Sequence, residues 1–122
     1  MKGIISFALL EKEMVHEMRD TINRAEDVID LEKQFSNIMK HFFTRVMEKQ
    51  RITGVVRDDD IIFNPEEPDY YSISARLKRI PGFRELLDSS DLKSVIGRFA
   101  SSAHRKYLHL TRHREKARFK IR

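Results

Sequence analysis

The first fifty residues carry apolar side chains at helical spacing. No glycine or proline occurs between residues 4 and 53. Two apolar series with a period near 3.6 follow one another there, as is typical of amphipathic helices. The first series comprises Ile4, Phe7, Ala8, Met14, Val15, Met18 and Ile22, and the second comprises Val28, Leu31, Phe35, Ile38, Met39, Phe42 and Val46.

A polar stretch at residues 23–27 predicts a break between two helices. Asn23 is of a residue type that caps helix N-termini, and the acids after it suit the first turn of a second helix. The two helices would then form a hairpin. The alternative is one continuous helix of about forty-five residues, which would need a partner chain to cover its apolar stripe. We favour the hairpin.

The middle of the chain is rich in turn residues. Gly54 is expected to end the helical region, and the apolar segments at residues 55–57 and 61–63 flank three consecutive aspartates. That pattern fits either a short β-hairpin or an irregular loop with solvated acids. Residues 64–69 contain two prolines and three acids, so they are expected to form a connector between the two halves of the chain.

Shorter helical signals follow the connector. Residues 72–80 and 83–87 predict short helices, and residues 89–91 offer an N-cap for a longer one. Its apolar face would be formed by Leu92, Val95, Ile96, Phe99, Ala103 and Tyr107. We expect helix through about Arg114. Residues 116–122 alternate between polar and apolar side chains, so a terminal strand stays an alternative.

These elements predict a mainly α fold in a single domain of 122 residues. An N-terminal helical hairpin would occupy residues 1–53, an acidic linker or small β-hairpin residues 54–69, and a basic cluster of short helices residues 70–122. The chain has no cysteine, which excludes disulfides and thiolate chemistry. The apolar run at residues 3–10 is too short to span a bilayer. We therefore expect a cytoplasmic protein without a membrane segment.

Basic and acidic residues are unevenly distributed along the chain. Residues 1–90 carry 14 basic and 17 acidic side chains, whereas residues 91–122 carry 10 basic and 2 acidic ones. Such asymmetry indicates a contact with nucleic acid, DNA or RNA, because guanidinium and ammonium groups bind phosphate oxygens. The competing interpretation is a solvated basic face. The predicted nucleic-acid-binding residues are Arg98, Arg105, Lys106, Arg112, Arg114, Lys116, Arg118 and Lys120.

Two further features bear on function. Helices near residues 72–80, 82–88 and 91–107 would have the outline of a helix-turn-helix arrangement. Alternatively, the chain is a helical adaptor that binds partners or forms a homodimer through its N-terminal helices. Its contact surface would then comprise Phe42, Phe43, Met14, Met18, Met39 and Met47.

The sequence contains few residue patterns that suggest catalysis or metal binding. We therefore expect a non-enzymatic protein without a cofactor. Glu13 and His16 have the spacing of a carboxylate metal motif, but no second copy follows. His109 and His113 are four residues apart without an obvious third ligand. Arg98 and His104 could act together on an RNA phosphate only if both reached the same point.

Overall fold

Residues 5–121, the part of the chain that the structure describes, fold into five helices and one small β-hairpin. The computed structural model describes the backbone of residues 5–121 and the side chains of residues 5–112. In chain order the elements are α1 (Ala8–Asn23), α2 (Val28–Lys49), β1 (Ile61–Phe63), β2 (Tyr71–Ile73), α3 (Ala75–Lys78), α4 (Phe83–Ser89) and α5 (Leu92–Ile121). The predicted fold class, mainly α with a helical hairpin and a small β-hairpin, is confirmed.

Two helices, not one continuous helix, form the N-terminal part, but the predicted cap between them was wrong. Asn23 is the last residue of α1, and Asp27 is the N-cap of α2. The Asp27 backbone is extended, so its Oδ1 accepts a hydrogen bond from the Asp30 N–H at 2.7 Å. Between the helices, the side chain of Ala25 turns into the core.

Replacing Asp27 with alanine is expected to lower the free energy of unfolding by about 1 kcal/mol, because the first turn of α2 loses the acceptor for one of its unpaired N–H groups. Urea denaturation of the two proteins measures the difference. Glu17→Ala, at an exposed position within α1, is the control and should change stability by less than about 0.5 kcal/mol. Equal effects of the two substitutions would contradict the capping role.

The three long helices form one bundle in which α1 and α5 run in the same direction. Glu11, early in α1, pairs with Arg98, and Lys106 farther along α5 reaches the Asn23 carbonyl at the end of α1. α2 runs the opposite way, since Arg45 near its end pairs with Glu13 at 2.9 Å. Thus α5 lies alongside both N-terminal helices and covers their apolar stripes.

The core of this bundle contains the residues that were predicted as an adaptor surface. Phe43 is fully buried and contacts Phe42 and Phe83, with ring centroids 5.6 and 5.8 Å apart. Phe42 also meets Phe99 of α5 edge to face. The methionines of the predicted stripe are buried as well: Met14, Met18, Met39 and Met47. The predicted contact surface was therefore wrong, because α5 supplies within one chain the cover that a partner would have given.

The β-hairpin joins different segments from those expected. β1 pairs antiparallel with β2, with Ile61 opposite Ile73 and Phe63 opposite Tyr71. Residues 55–57 form no strand, and the proline-rich residues 64–69 belong to the hairpin loop, which spans residues 64–70. The predicted helix at residues 72–80 is shorter than expected because its first residues belong to β2.

α3 begins only after Ser74, whose hydroxyl accepts the Leu77 N–H at 3.0 Å. The long helix α5 follows at Leu92 and continues to Ile121. It therefore passes the predicted end at about Arg114, and the alternative of a terminal strand was wrong.

Asp60, the third of the consecutive aspartates, is buried rather than solvated. It is 1% exposed. Its carboxylate accepts hydrogen bonds from the Arg57 N–H at 2.7 Å, from the Ser74 hydroxyl at 2.6 Å and from the Arg76 guanidinium. Burial alone would raise the pKa of this carboxyl, but its hydrogen bonds, first among them that of Arg76, hold the pKa below its usual value of 3.8. This network ties the loop before β1 to the start of α3.

Candidate nucleic-acid interface

Three arginines of α5 share one face of the helix. Arg98, Arg105 and Arg112 are exposed and seven residues apart. Residues at that spacing lie within about 20° of one another around a helix and about 10 Å apart along its axis. The predicted basic surface is therefore ordered over this part of α5, but its members have different surroundings.

Arg98 is engaged by an acid. Its Nε and Nη2 atoms donate to the two carboxylate oxygens of Glu11 at 2.6 and 2.7 Å. This forked hydrogen bond raises the pKa of Arg98 above its usual value. The pair links α1 to α5 and compensates the charge of Arg98 locally, so this arginine is less available to phosphate than the sequence suggested.

Lys106 has a contact within the fold as well. Its Nζ atom donates to the Asn23 carbonyl at 2.9 Å. An ammonium group there is favourable because the C-terminal end of a helix carries partial negative charge. Two of its three N–H donors remain for other acceptors.

Arg105 and Arg112 are the more open cations of this face. Arg105 donates to the Ser102 hydroxyl at 3.2 Å. Among the side chains that the structure describes, no carboxylate lies within ion-pair distance of either arginine. Their positive charge is therefore not compensated by a neighbouring acid of the described fold.

α1 contributes a further cation that the sequence analysis missed. Arg19 is exposed and faces Arg105 across a groove of about 460 Å³ between the two parallel helices. The residues that line this groove are Arg19, Ile22, Asn23, Ser102, Arg105, Lys106 and His109. We call the groove together with Arg112 the basic seam. Three of the lining side chains are permanent cations, and none is a carboxylate.

The groove of the basic seam ends at the turn between α1 and α2. There Glu26 and Asp27 line an adjoining groove together with Lys106 and His109. Asp27 is already occupied as the cap of α2. The four other predicted contact residues, Arg114, Lys116, Arg118 and Lys120, belong to the helical backbone of α5, and their side chains lie outside the described residues.

The structure does not bring together the residues of the predicted phosphate-handling pair. Arg98 is directed to α1, whereas His104 stacks on Tyr70 of the hairpin loop, with ring centroids 3.8 Å apart and planes within 5° of parallel. The helix-turn-helix outline is also absent, because α3 has only four residues.

The described side chains do not support the metal hypotheses. Glu13 is paired with Arg45. No group of three or more histidines and acids suited to a metal ion occurs among the described residues, which include His16 and His109.

Comparison with protein-family models, curated proteins and solved structures found no match. Within the described part of the chain, no helix combines the length and the apolar character that a membrane span requires. The assignment of function therefore depends on the geometry and charge of the chain itself.

Proposed function

We propose that this chain binds nucleic acid, without catalysing a reaction, through the basic seam between α1 and α5. The observation that carries the proposal is the groove lined by Arg19, Arg105 and Lys106 with no carboxylate among its lining residues. Cations on both walls of a groove suit a phosphate backbone, because each neutralised phosphate releases counterions.

The side chains of the seam have the donors that such contacts need. The guanidinium groups of Arg19 and Arg105 present planar forks that match two phosphate oxygens. Ser102 adds a hydroxyl, which commonly contacts phosphate in nucleic-acid complexes. Arg112 extends the cationic face along α5 by two turns beyond Arg105.

A partner-binding function has less support. The apolar stripes that would have bound a partner are in the core. Among the described residues, the large hydrophobic side chains that are exposed are Leu9, Ile29, Val55 and Ile62. They lie on separate elements, and isolated exposed apolar residues are normal on protein surfaces. A homodimer stays a prediction that sedimentation of the purified chain can test.

Fluorescence anisotropy with random-sequence duplex DNA and with single-stranded RNA tests the proposal. Binding is expected at about 50 mM salt and should weaken roughly 40-fold by about 200 mM if three phosphates of a duplex are contacted. Arg105→Glu combined with Arg112→Glu should lower the affinity by about 100-fold at the lower salt concentration, because two contacts become repulsions.

Lys33→Glu combined with Lys49→Glu is the matched control. Both lysines are exposed on α2, and the double substitution changes the net charge by the same amount. It should alter the affinity by less than about fivefold, since neither lysine lines the groove and exposed charges farther than roughly 14 Å from the phosphates are largely screened at this salt concentration. Absence of binding by the unmodified chain at low salt would refute the proposal. Equal losses in the two double variants would refute the assignment to the seam.

A further inference from the structure

We infer that the basic seam contacts only the phosphate backbone and does not read base sequence. This inference rests on the proposed function and specifies its ligand: a nucleic-acid strand recognised by its phosphates, whatever its bases. It follows from the way α5 is held between its neighbours, and it concerns residues 98–106 of that helix.

α5 is flanked on both sides along this stretch. On one side α1 is joined to it by the Glu11–Arg98 pair and, farther along, by the hydrogen bond from Lys106 to Asn23. On the other side the hairpin loop packs against it, because Tyr70 stacks on His104. Arg98 and Arg105 are exposed on this stretch of α5 and therefore lie between two neighbouring elements.

The pair formed by α1 and α5 is wider than the major groove of DNA. A sequence-reading helix inserts into the major groove, which is about 12 Å wide, and one helix with its side chains already measures about 10–12 Å across. Two helices side by side, with axes about 8–10 Å apart, span roughly 20 Å. Because α1 lies beside α5 over this stretch, the face that carries Arg19 and Arg105 is two helices wide and would rest on the phosphate backbone.

The placement of the cations agrees with contact to a backbone. Arg19 lies on α1 and Arg105 on α5, on opposite walls of the groove. A phosphate chain that follows the groove would meet both guanidinium groups, whereas base edges would face away from them. Each contact would then add affinity equally for all sequences.

The experiment compares the loss of affinity on different sequences. The full chain is used to select the best and the poorest binders from a randomised duplex pool, and the binding of both is measured for the unmodified chain and for Arg105→Ala. The expected result is a loss of similar size on both sequences, equal within about twofold. A loss at least tenfold larger on the best sequence would show base contact by Arg105 and overturn the inference.

A second variant tests the same point without removing charge. Arg105→Lys keeps a cation for phosphate but lacks the planar guanidinium fork of arginine. It should retain affinity within about fivefold, uniformly over the two sequences, and a sequence-dependent loss would overturn the inference. If neither the duplex pool nor single-stranded RNA binds, the proposed function itself fails, so the two failures are distinguishable.

Discussion

Replacing Arg76 with methionine is expected to lower the free energy of unfolding at neutral pH by more than the replacement of an unpaired surface arginine does. The Asp60 side chain is only 2% exposed, whereas that of Arg76 is 36% exposed. The substitution removes the cation and leaves the carboxylate buried, which is the costly way to break such a pair. The remaining hydrogen bonds, from Ser74 and the Arg57 N–H, still stabilise the carboxylate, so part of its stabilisation is kept.

Asp60 should contribute differently to the pH dependence of stability in this variant. In the unmodified chain the pKa of Asp60 lies below its usual value of 3.8. Its ionised form therefore contributes stability that is fully present above that value and is lost as the pH falls through the folded-state pKa. Without Arg76 the pKa of Asp60 should rise, because the hydrogen bond and the charge of Arg76 no longer oppose the effect of burial. The stability deficit of the variant should therefore become smaller as the pH is lowered.

Urea denaturation at neutral pH and at mildly acidic pH measures both effects. Arg79→Met, at the exposed end of α3, is the matched control and should stay within about 0.5 kcal/mol of the unmodified chain. A loss for Arg76→Met no larger than that for Arg79→Met, or a deficit that grows on acidification, would show that the Asp60 network does not stabilise the fold.

Phe43→Ala is expected to cost about 4 kcal/mol, because a fully buried phenylalanine leaves a cavity when it is truncated. Phe43 packs between Phe42 of its own helix and Phe83 of α4. Since these contacts lie within one chain, the loss should be independent of protein concentration. Thermal and urea unfolding at two widely separated concentrations measure it.

Leu9→Ala is the control for this prediction. Leu9 is 67% exposed, so its truncation should change the free energy of unfolding by less than about 0.5 kcal/mol. A cost for Phe43→Ala that increases as the protein is diluted would place Phe43 in an interface between chains. That result would restore the adaptor hypothesis.

The helices could be predicted because each has an apolar stripe long enough to show its period. Residues 92, 95, 96 and 99 of α5 are a clear case, and all four are buried.

The pairing of β1 was not predictable in the same way. Its partner lies beyond a seven-residue loop, and three-residue strands are too short to show a period. Burial of Asp60 depends on Arg76, which comes 16 positions later, and no local pattern records such a contact.

Only part of the candidate site could be predicted from the sequence. The charge asymmetry identified Arg105 and Arg112, because both belong to the segment in which basic residues are concentrated. It could not show that Arg98 pairs with Glu11, 87 positions earlier. It also did not reveal Arg19, because that arginine belongs to residues 1–90, the part of the chain with a net negative charge. The seven-residue spacing of Lys12 and Arg19, both exposed on α1, was the available signal.

The residues before α1 are hydrogen-bonded to the segment just before α5, and this long separation has a consequence while the chain is being synthesised. Ile5 forms a parallel bridge with Ser90, and the Phe7 N–H donates to Asp91, 84 positions later, at 2.8 Å. α1 and α2 therefore leave the ribosome long before α5 can cover them. At translation rates of about 5–20 residues per second, the roughly 70 residues from the end of α2 to the end of α5 take about 4–14 s. For that interval the methionine-rich stripes are accessible to chaperones, although the finished fold conceals them.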